Sequence, residues 1–341
     1  MKKYVEEDKF VVFGGAGFIG SHITEKLLSQ GAKVIVVDDF STGFMENLSF
    51  HSTNPNLTIV RMDISDWTQI SQNFSYFQNV KGVFHLAALA RIQPSVYAPM
   101  RTYHVNLTGT LHVLELMRMC NIKNIVYSAS SSYYGKQVTR ASVETDQPDC
   151  QTSYSASKYA AEILIKTWGK SYQIRNVSLR YFNVYGRRSP LVGAYAPVVG
   201  LFFRQALVGQ PLTVVGDGEQ RRDFTHVSDV VEANILAMDK LNSLEYEKIT
   251  NLTLNIGTGK NYSINEVANM VKKTLTDNCA VKIKNTPERV GEAHMSLANN
   301  ELALGCLGWR PSIALAEGLD DLKKYYTNNM KKFGAEGDLI L

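Results

Sequence analysis

The chain has 341 residues, 45% hydrophobic and 20% charged, with a net charge of +4 at pH 7. This excludes a disordered or collagen-like chain, and Lys and Arg scattered singly or in pairs such as Lys272-Lys273 and Arg221-Arg222 exclude a nucleic-acid footprint. The four cysteines lie far apart without C-x-x-C and the seven histidines lack H-E-x-x-H, so neither a disulfide framework nor a metal is expected, and the setting is expected to be reduced and cytoplasmic.

The opening MKKYVEEDKF mixes acidic and basic residues, and the apolar run after it is broken at Gly14 and Gly15, which fits a secretory signal poorly. No stretch approaches 18 apolar residues, so no membrane span is expected. Phe10-Val11-Val12-Phe13 reads as a buried strand, and Gly14, Gly17 and Gly20 follow it at the spacing G-x-x-G-x-x-G before a helix over 20–30. Such a turn lets the backbone approach a pyrophosphate and aims a helix N-terminus at its charge. The next strand, Val34–Val37, runs into Asp38, about twenty residues on, where a carboxylate accepts from both hydroxyls of an adenosine ribose. No Arg or Lys follows in DDFSTG, which favours NAD over NADP. After the strand Leu57–Val60, Asp63 reads either as a partner for the adenine amino group or as a helix N-cap.

Strands over Gly82–His85, Asn124–Tyr127 and Asn176–Leu179 and helices over 103–120 and 154–172 complete the alternation. The fold it predicts is α/β, a doubly wound parallel sheet (Rossmann) with a smaller mixed α/β C-terminal substrate domain. Residues 1–185, with a return segment near 225–260, are expected to bind the dinucleotide. Residues 186–224 and 261–341 form the second region, where Gly and Pro break the rhythm.

Tyr154 and Lys158 stand at i, i+4 at the start of the last of these helices, on one face. A neighbouring cation stabilises phenolate, so the Tyr154 pKa is expected to fall towards working pH, making Tyr154 a general base. The plainer alternative is a pair of solvated helix residues. The dinucleotide turn and the hydroxyl cluster SASSSYYG favour hydride-transfer chemistry.

From GGAGFIGSH through HLAALA, NLTGTLHVLE, SASSSYYG, YSASK and RYFNVYG to GDGEQRRDFTHVSD and LGWRP, the chain resembles the extended short-chain dehydrogenase/reductases, and among them the UDP-hexose 4-epimerases. The resemblance implies a catalytic triad of Ser130, Tyr154 and Lys158, with Ser130 sharing the proton of the substrate 4-hydroxyl. It groups Phe18, Ile19, Ile64 and Ala87 with the glycines, Asp38, Asp63, Tyr154 and Lys158 as cofactor residues. Asn183, Arg222 and Arg289 would hold the UDP pyrophosphate, Arg by its bidentate fork. It also implies a homodimer through helices 103–120 and 154–172. Leu111, Val113, Leu114, Ile163 and Leu164 suit that contact, and suit packing on their own sheet equally well.

The implied reaction is redox-neutral: C4 is oxidised to a keto sugar, the sugar turns, and the hydride returns to its other face. Where UDP-galactose epimerases carry a Lys after H-x-A-x-L, this chain has Ala90 and Arg91. Where related dehydratases and decarboxylases place Asp or Glu, it has Ser131 and Ser132, too weakly acidic for either reaction. Relatives that bind dinucleotide without turnover usually lack the Tyr/Lys pair, which is intact here. The resemblance implies that Ser296, three before the Asn of LAN, stands in the wall beside the sugar C2 substituent, where a small residue goes with UDP-GlcNAc and UDP-GalNAc. Its alternative is a helix-start residue near ANNEL. A uronate substrate is the other reading, with Arg91, Arg187 and Arg188 as cations to meet it.

Overall fold

Seven parallel strands form the central sheet of the computed structural model, which describes residues 4–5, 7–136, 140–190, 197–275, 281–288 and 294–328. They are β1 (Lys9–Phe13), β2 (Lys33–Asp38), β3 (Leu57–Arg61), β4 (Gly82–His85), β5 (Asn124–Ser130), β6 (Arg175–Tyr181) and β7 (Leu252–Ile256). Their order is β7-β6-β5-β4-β1-β2-β3. Each run read as a strand lies within one of the first six. In β1, Phe10, Val11, Val12 and Phe13 are all fully buried, as expected of a parallel sheet covered on both faces. Phe10 and Val12 enter one core and Val11 and Phe13 the other, following the two-residue repeat of a strand.

Helices α1 (Phe18–Ser29) and α4 (Val227–Leu241) cover the first core, with Ile23 and Leu27 of one and Val230 and Ala233 of the other inside it. Helices α2 (Gly109–Met119) and α3 (Ser153–Tyr172) cover the second through Val113, Leu114, Ala161 and Ile165. Sequence order reverses between β1 and β4, and there a doubly wound sheet opens a crevice at its carboxyl edge.

The helix read over 103–120 is interrupted. A π-helical turn, His104–Thr108, separates Pro99–Tyr103 from α2. The wider turn faces Asn106 inward, where its Oδ1 accepts from the Leu89 amide at 2.8 Å and its Nδ2 donates to Ser157 Oγ at 3.0 Å.

Beyond β6 a third core gathers Tyr185, Phe202, Phe203, Phe224, Val267 and Leu319. Its short strands pair Leu212–Val215 in parallel with Ile283–Thr286, and Arg221–Asp223 antiparallel with Asn261–Ser263. Trp309 fastens the chain beyond this region to α4, donating from Nε1 to the Asp229 carbonyl at 2.8 Å.

Candidate active site

At the end of β1 the backbone is forced into a shape only glycine accepts. Gly14 has φ +78°, and a Cβ there would stand 2.7 Å from the Ala87 amide nitrogen; a Cβ on Gly20 would meet the Gly14 carbonyl oxygen at 2.1 Å. The first turn of α1, opened by Gly17, has neither a side-chain cap nor an acidic residue, so its amides and the positive end of the helix dipole fit an anion. Gly14, Gly17, Phe18, Ile19 and Gly20 all line one cleft of about 280 Å³, joined by Ile64 and Ala87. These residues fit a dinucleotide: the glycines leave the backbone open to a pyrophosphate at an uncapped helix N-terminus.

Asp38, at the tip of β2, lines the same cleft. Its Oδ2 accepts from the Ala16 amide and its Oδ1 from the Phe40 amide, each at 2.9 Å. Burial raises its pKa, against the pull of these two amides. Asp63 also lines the cleft, and its Oδ1 accepts from the Ser65 amide at 2.8 Å and from Ser65 Oγ at 2.7 Å. It is not a helix N-cap: Asp66 caps the helix Trp67–Gln72, accepting from the Thr68 amide at 2.9 Å.

A second cavity, of about 480 Å³, opens between the sheet and the second region. Ser130, Asn183, Arg222 and Ser296 line it, while Arg289 lies outside the described residues. Asn183 Nδ2 donates to the Asp223 carbonyl at 3.3 Å and approaches Ser296 Oγ at 3.5 Å. Ser296 is not a helix-start residue, since the next helix begins at Glu301; its amide donates instead to the Arg221 carbonyl at 3.0 Å, beside a parallel bridge from Met295 to Arg221.

Tyr154 lines both cavities and Lys158 lines the first. The capping box of α3 holds them: Thr152 Oγ1 accepts from the Ser155 amide at 3.2 Å and Ser155 Oγ accepts from the Thr152 amide at 3.0 Å. The electrostatics differ from the expectation of a phenol acidified by Lys158. Burial raises the Tyr154 pKa, and the groups that oppose it are a hydrogen bond with Ser130 and the charge of Arg91. Lys158 is itself so deeply buried that its pKa falls to about 7, with Glu162 working the other way. A cation that is easily discharged is a weak acidifier, and Arg91, lining both cavities, takes that part.

Three further features were missed in the sequence. Arg91 was noted only as a departure and a possible uronate partner. Asn106 lay within a motif, but its inward turn needs the π geometry. Asp223 is fully buried and gathers the amides of Thr258, Gly259 and Ala298 at 2.8, 3.0 and 3.1 Å, fixing the floor of the second cavity to the end of β7. A lone Asp in RRDF gives no sign of these distant partners. Among the described residues there is no His/Cys/Asp/Glu group fit to hold a metal, and no helix long and apolar enough to cross a membrane.

Two adjoining cavities with Tyr154 in the lining of both, the first beside a dinucleotide turn, are the arrangement of an enzyme that passes hydride between a nicotinamide and a second ligand. Residues 10–257 match the NAD dependent epimerase/dehydratase family. The chain belongs to this family, among its NAD-dependent UDP-sugar 4-epimerases. It is 34% identical to the UDP-glucose 4-epimerase of Thermotoga maritima, solved with UDP-glucose, with a TM-score of 0.87 over 94% of this chain and 99% of that one. It is 33% identical to the UDP-N-acetylglucosamine 4-epimerase of Methanobrevibacter ruminantium M1, solved in complex with UDP-N-acetylmuramic acid, with a TM-score of 0.86 over 95% and 100%. UDP-glucuronic acid decarboxylase 4 of Arabidopsis thaliana is 33% identical over 91% of this chain and 67% of its own length.

Proposed function

We propose that the chain interconverts UDP-GlcNAc and UDP-GalNAc at C4, and UDP-Glc and UDP-Gal besides. The observation that carries this reading is Tyr154, set where the two cavities join, with Ser130 lining the second cavity along with it. Bound NAD supplies the hydride acceptor and donor. Tyr154 takes the C4 hydroxyl proton and gives it back, and Ser130 shares that proton. Lys158 holds the nicotinamide ribose, and Asp38 the adenosine ribose, through the second lone pair each oxygen keeps. The turn from Gly14 to Gly20 with Phe18 and Ile19 holds the NAD pyrophosphate, and Asp63, Ile64 and Ala87 line the adenosine and nicotinamide ends. Asn183, Arg222 and Arg289 hold the UDP diphosphate, and Ser296 leaves room for an N-acetyl group. Residues 1–185 with 225–260 thus serve the cofactor, and 186–224 with 261–341 the UDP-sugar.

The test is Tyr154→Phe. It should leave binding of NAD and UDP-sugar nearly intact while kcat falls by a factor on the order of 10² or more. Near wild-type turnover would rule the base out.

A uronate is the second reading, and one observation favours it. Of the three arginines weighed for it, Arg91 is the one that lines both cavities. Product ratios by NMR for UDP-Glc, UDP-GlcNAc, UDP-GlcA and UDP-GlcNAcA separate the two, an exclusive preference for the acidic sugars supporting this one. Decarboxylation is disfavoured, because Ser131 and Ser132 line the second cavity where decarboxylases carry a Glu.

A cytoplasmic homodimer completes the proposal. Val113 and Leu114 are spent on their own sheet and Leu164 packs on the same core, but Leu111 and Ile163 are exposed, as are Val96, Tyr97 and Met100 on the neighbouring short helices. Sedimentation equilibrium tests it.

A further inference from the structure

Behind the reaction centre lies a charge cluster that the chemistry above does not use. Glu162 follows Lys158 by one turn of α3 and is 2% exposed. Its Oε2 accepts from Arg180 Nε at 3.0 Å, and its Oε1 accepts from Arg180 Nη2, Lys166 Nζ and Thr253 Oγ1 at 2.9, 3.0 and 2.8 Å. Arg180, on β6 and just as buried, also faces the other way. Its guanidinium carbon lies 3.5 Å from the centroid of the Tyr133 ring, and its Nη1 donates to the Tyr134 hydroxyl at 3.0 Å. Both tyrosines belong to the turn Ser131–Tyr134, which Ser130 caps. The turn is pinned on its far side as well: Tyr133 donates to the Asp146 carbonyl at 2.7 Å and Tyr134 to Asn255 Oδ1 at 2.6 Å.

One guanidinium therefore joins the helix that carries Tyr154 and Lys158 to the turn that carries Ser130. Burying such a pair is costly in desolvation, and apolar side chains of equal volume often hold a fold as well or better. They would not supply a fixed bidentate geometry, nor a negative charge one turn from Lys158. We propose that Arg180 and Glu162 are a positioning pair for the reaction centre: the guanidinium sets Ser130 against Tyr154, and the carboxylate places its negative charge one turn of α3 from Lys158.

The groups around Lys158 fit this role. Tyr154 and Glu162 face it from its own helix, Tyr127 from β5 with the ring centroid 4.3 Å from Nζ, and His85 from β4. Burial holds His85 neutral, with a pKa of about 3, so it brings no opposing charge at working pH. Arg180, from β6, is bound to Glu162 and holds that carboxyl ionised, against the effect of its burial. Glu162 is thus the charge that counters the burial of Lys158.

The inference rests on Tyr154 as the base, and the test keeps the two apart. Glu162→Gln, Arg180→Lys and Tyr133→Leu are compared as NAD-loaded enzymes in kcat, KM and melting temperature between about pH 6 and 10, with Tyr154→Phe alongside. All three should lower kcat about tenfold or more while KM stays within about threefold. Only Glu162→Gln should also move the alkaline limb of kcat, by about half a pH unit or more towards acid, as Lys158 loses its proton earlier. Tyr133→Leu leaves the ion pair intact, so it still tests the positioning if Arg180→Lys does not fold. Turnover within twofold of wild type and an unmoved limb would overturn the pair, as would losses that track lost NAD and lower melting temperature. An active Tyr154→Phe would instead overturn the assignment of the base.

Discussion

Lys158 Nζ lies 4.3 Å from the centroid of the Tyr127 ring, and the Tyr127 hydroxyl donates to the Lys158 carbonyl at 3.4 Å. A ring face steadies a cation less than water does when the site is closed, and burial brings the Lys158 pKa down to about 7. Between that value and the ordinary lysine value of 10.5, the unfolded chain binds a proton that the folded chain has released. The contribution of this group to stability therefore rises with pH across the window. Without added NAD, Lys158→Met should melt at a higher temperature than wild type near pH 7, and the gap should narrow towards about pH 10. Calorimetry at several pH values checks this, and a gap independent of pH contradicts it.

The role proposed for Asp38 in cofactor choice has a direct test. Its carboxylate is held by the Ala16 and Phe40 amides. Asp38→Ala should weaken NAD by about tenfold or more, as expected from losing charge-assisted bonds of roughly 1.5–3 kcal/mol. Titration calorimetry with both cofactors decides it. Tighter binding of NADP than NAD by the wild type would refute the role.

Ser296→Tyr tests the substrate wall. The Ser296 side chain lies beside Asn183, in the second cavity, and a ring there would fill the space proposed for an N-acetyl group. Overpacking of roughly 1–3 kcal/mol should depress kcat/KM for UDP-GlcNAc and UDP-GalNAc far more than for UDP-Glc and UDP-Gal. Proportionate losses on all four would mean that Ser296 is not the wall.

Asn106→Leu probes the π turn. It removes the acceptor of the Leu89 amide in a buried setting, and a group left without a partner costs about 1–3 kcal/mol, while Ser157 Oγ keeps its bond to the Tyr154 carbonyl. Urea denaturation should show a midpoint shift of that size. An unchanged midpoint would mean that water takes over the bond to the Leu89 amide.

Local signals in the chain carried the sheet well. Strands buried on both faces are continuous apolar runs, as Phe10–Phe13 and Val34–Val37 show, and the glycine turn announces itself by spacing. The cleft gathers every residue assigned to the cofactor: Gly14, Asp38, Asp63, Ile64 and Ala87 lie at or just beyond strand ends, and Tyr154 and Lys158 come from the first turns of α3. What was not legible depends on distance in the fold. The rise of the Tyr154 pKa comes from burial, which i, i+4 spacing does not reveal. The bonds of Arg180 to Glu162 span 18 positions, and those of Asp223 span as many as 75.

That last span bears on how the chain folds. Asp223 collects amides 35 and 75 positions downstream, so the floor of the second cavity closes only after β7 has found β6 and the segment around Ala298 has returned to it. Contacts of such separation are entropically late, and interactions that are absent from the transition state act on the unfolding rate. A ligand gripped by this floor should lengthen the lifetime of the native state while leaving the rate of its formation unchanged.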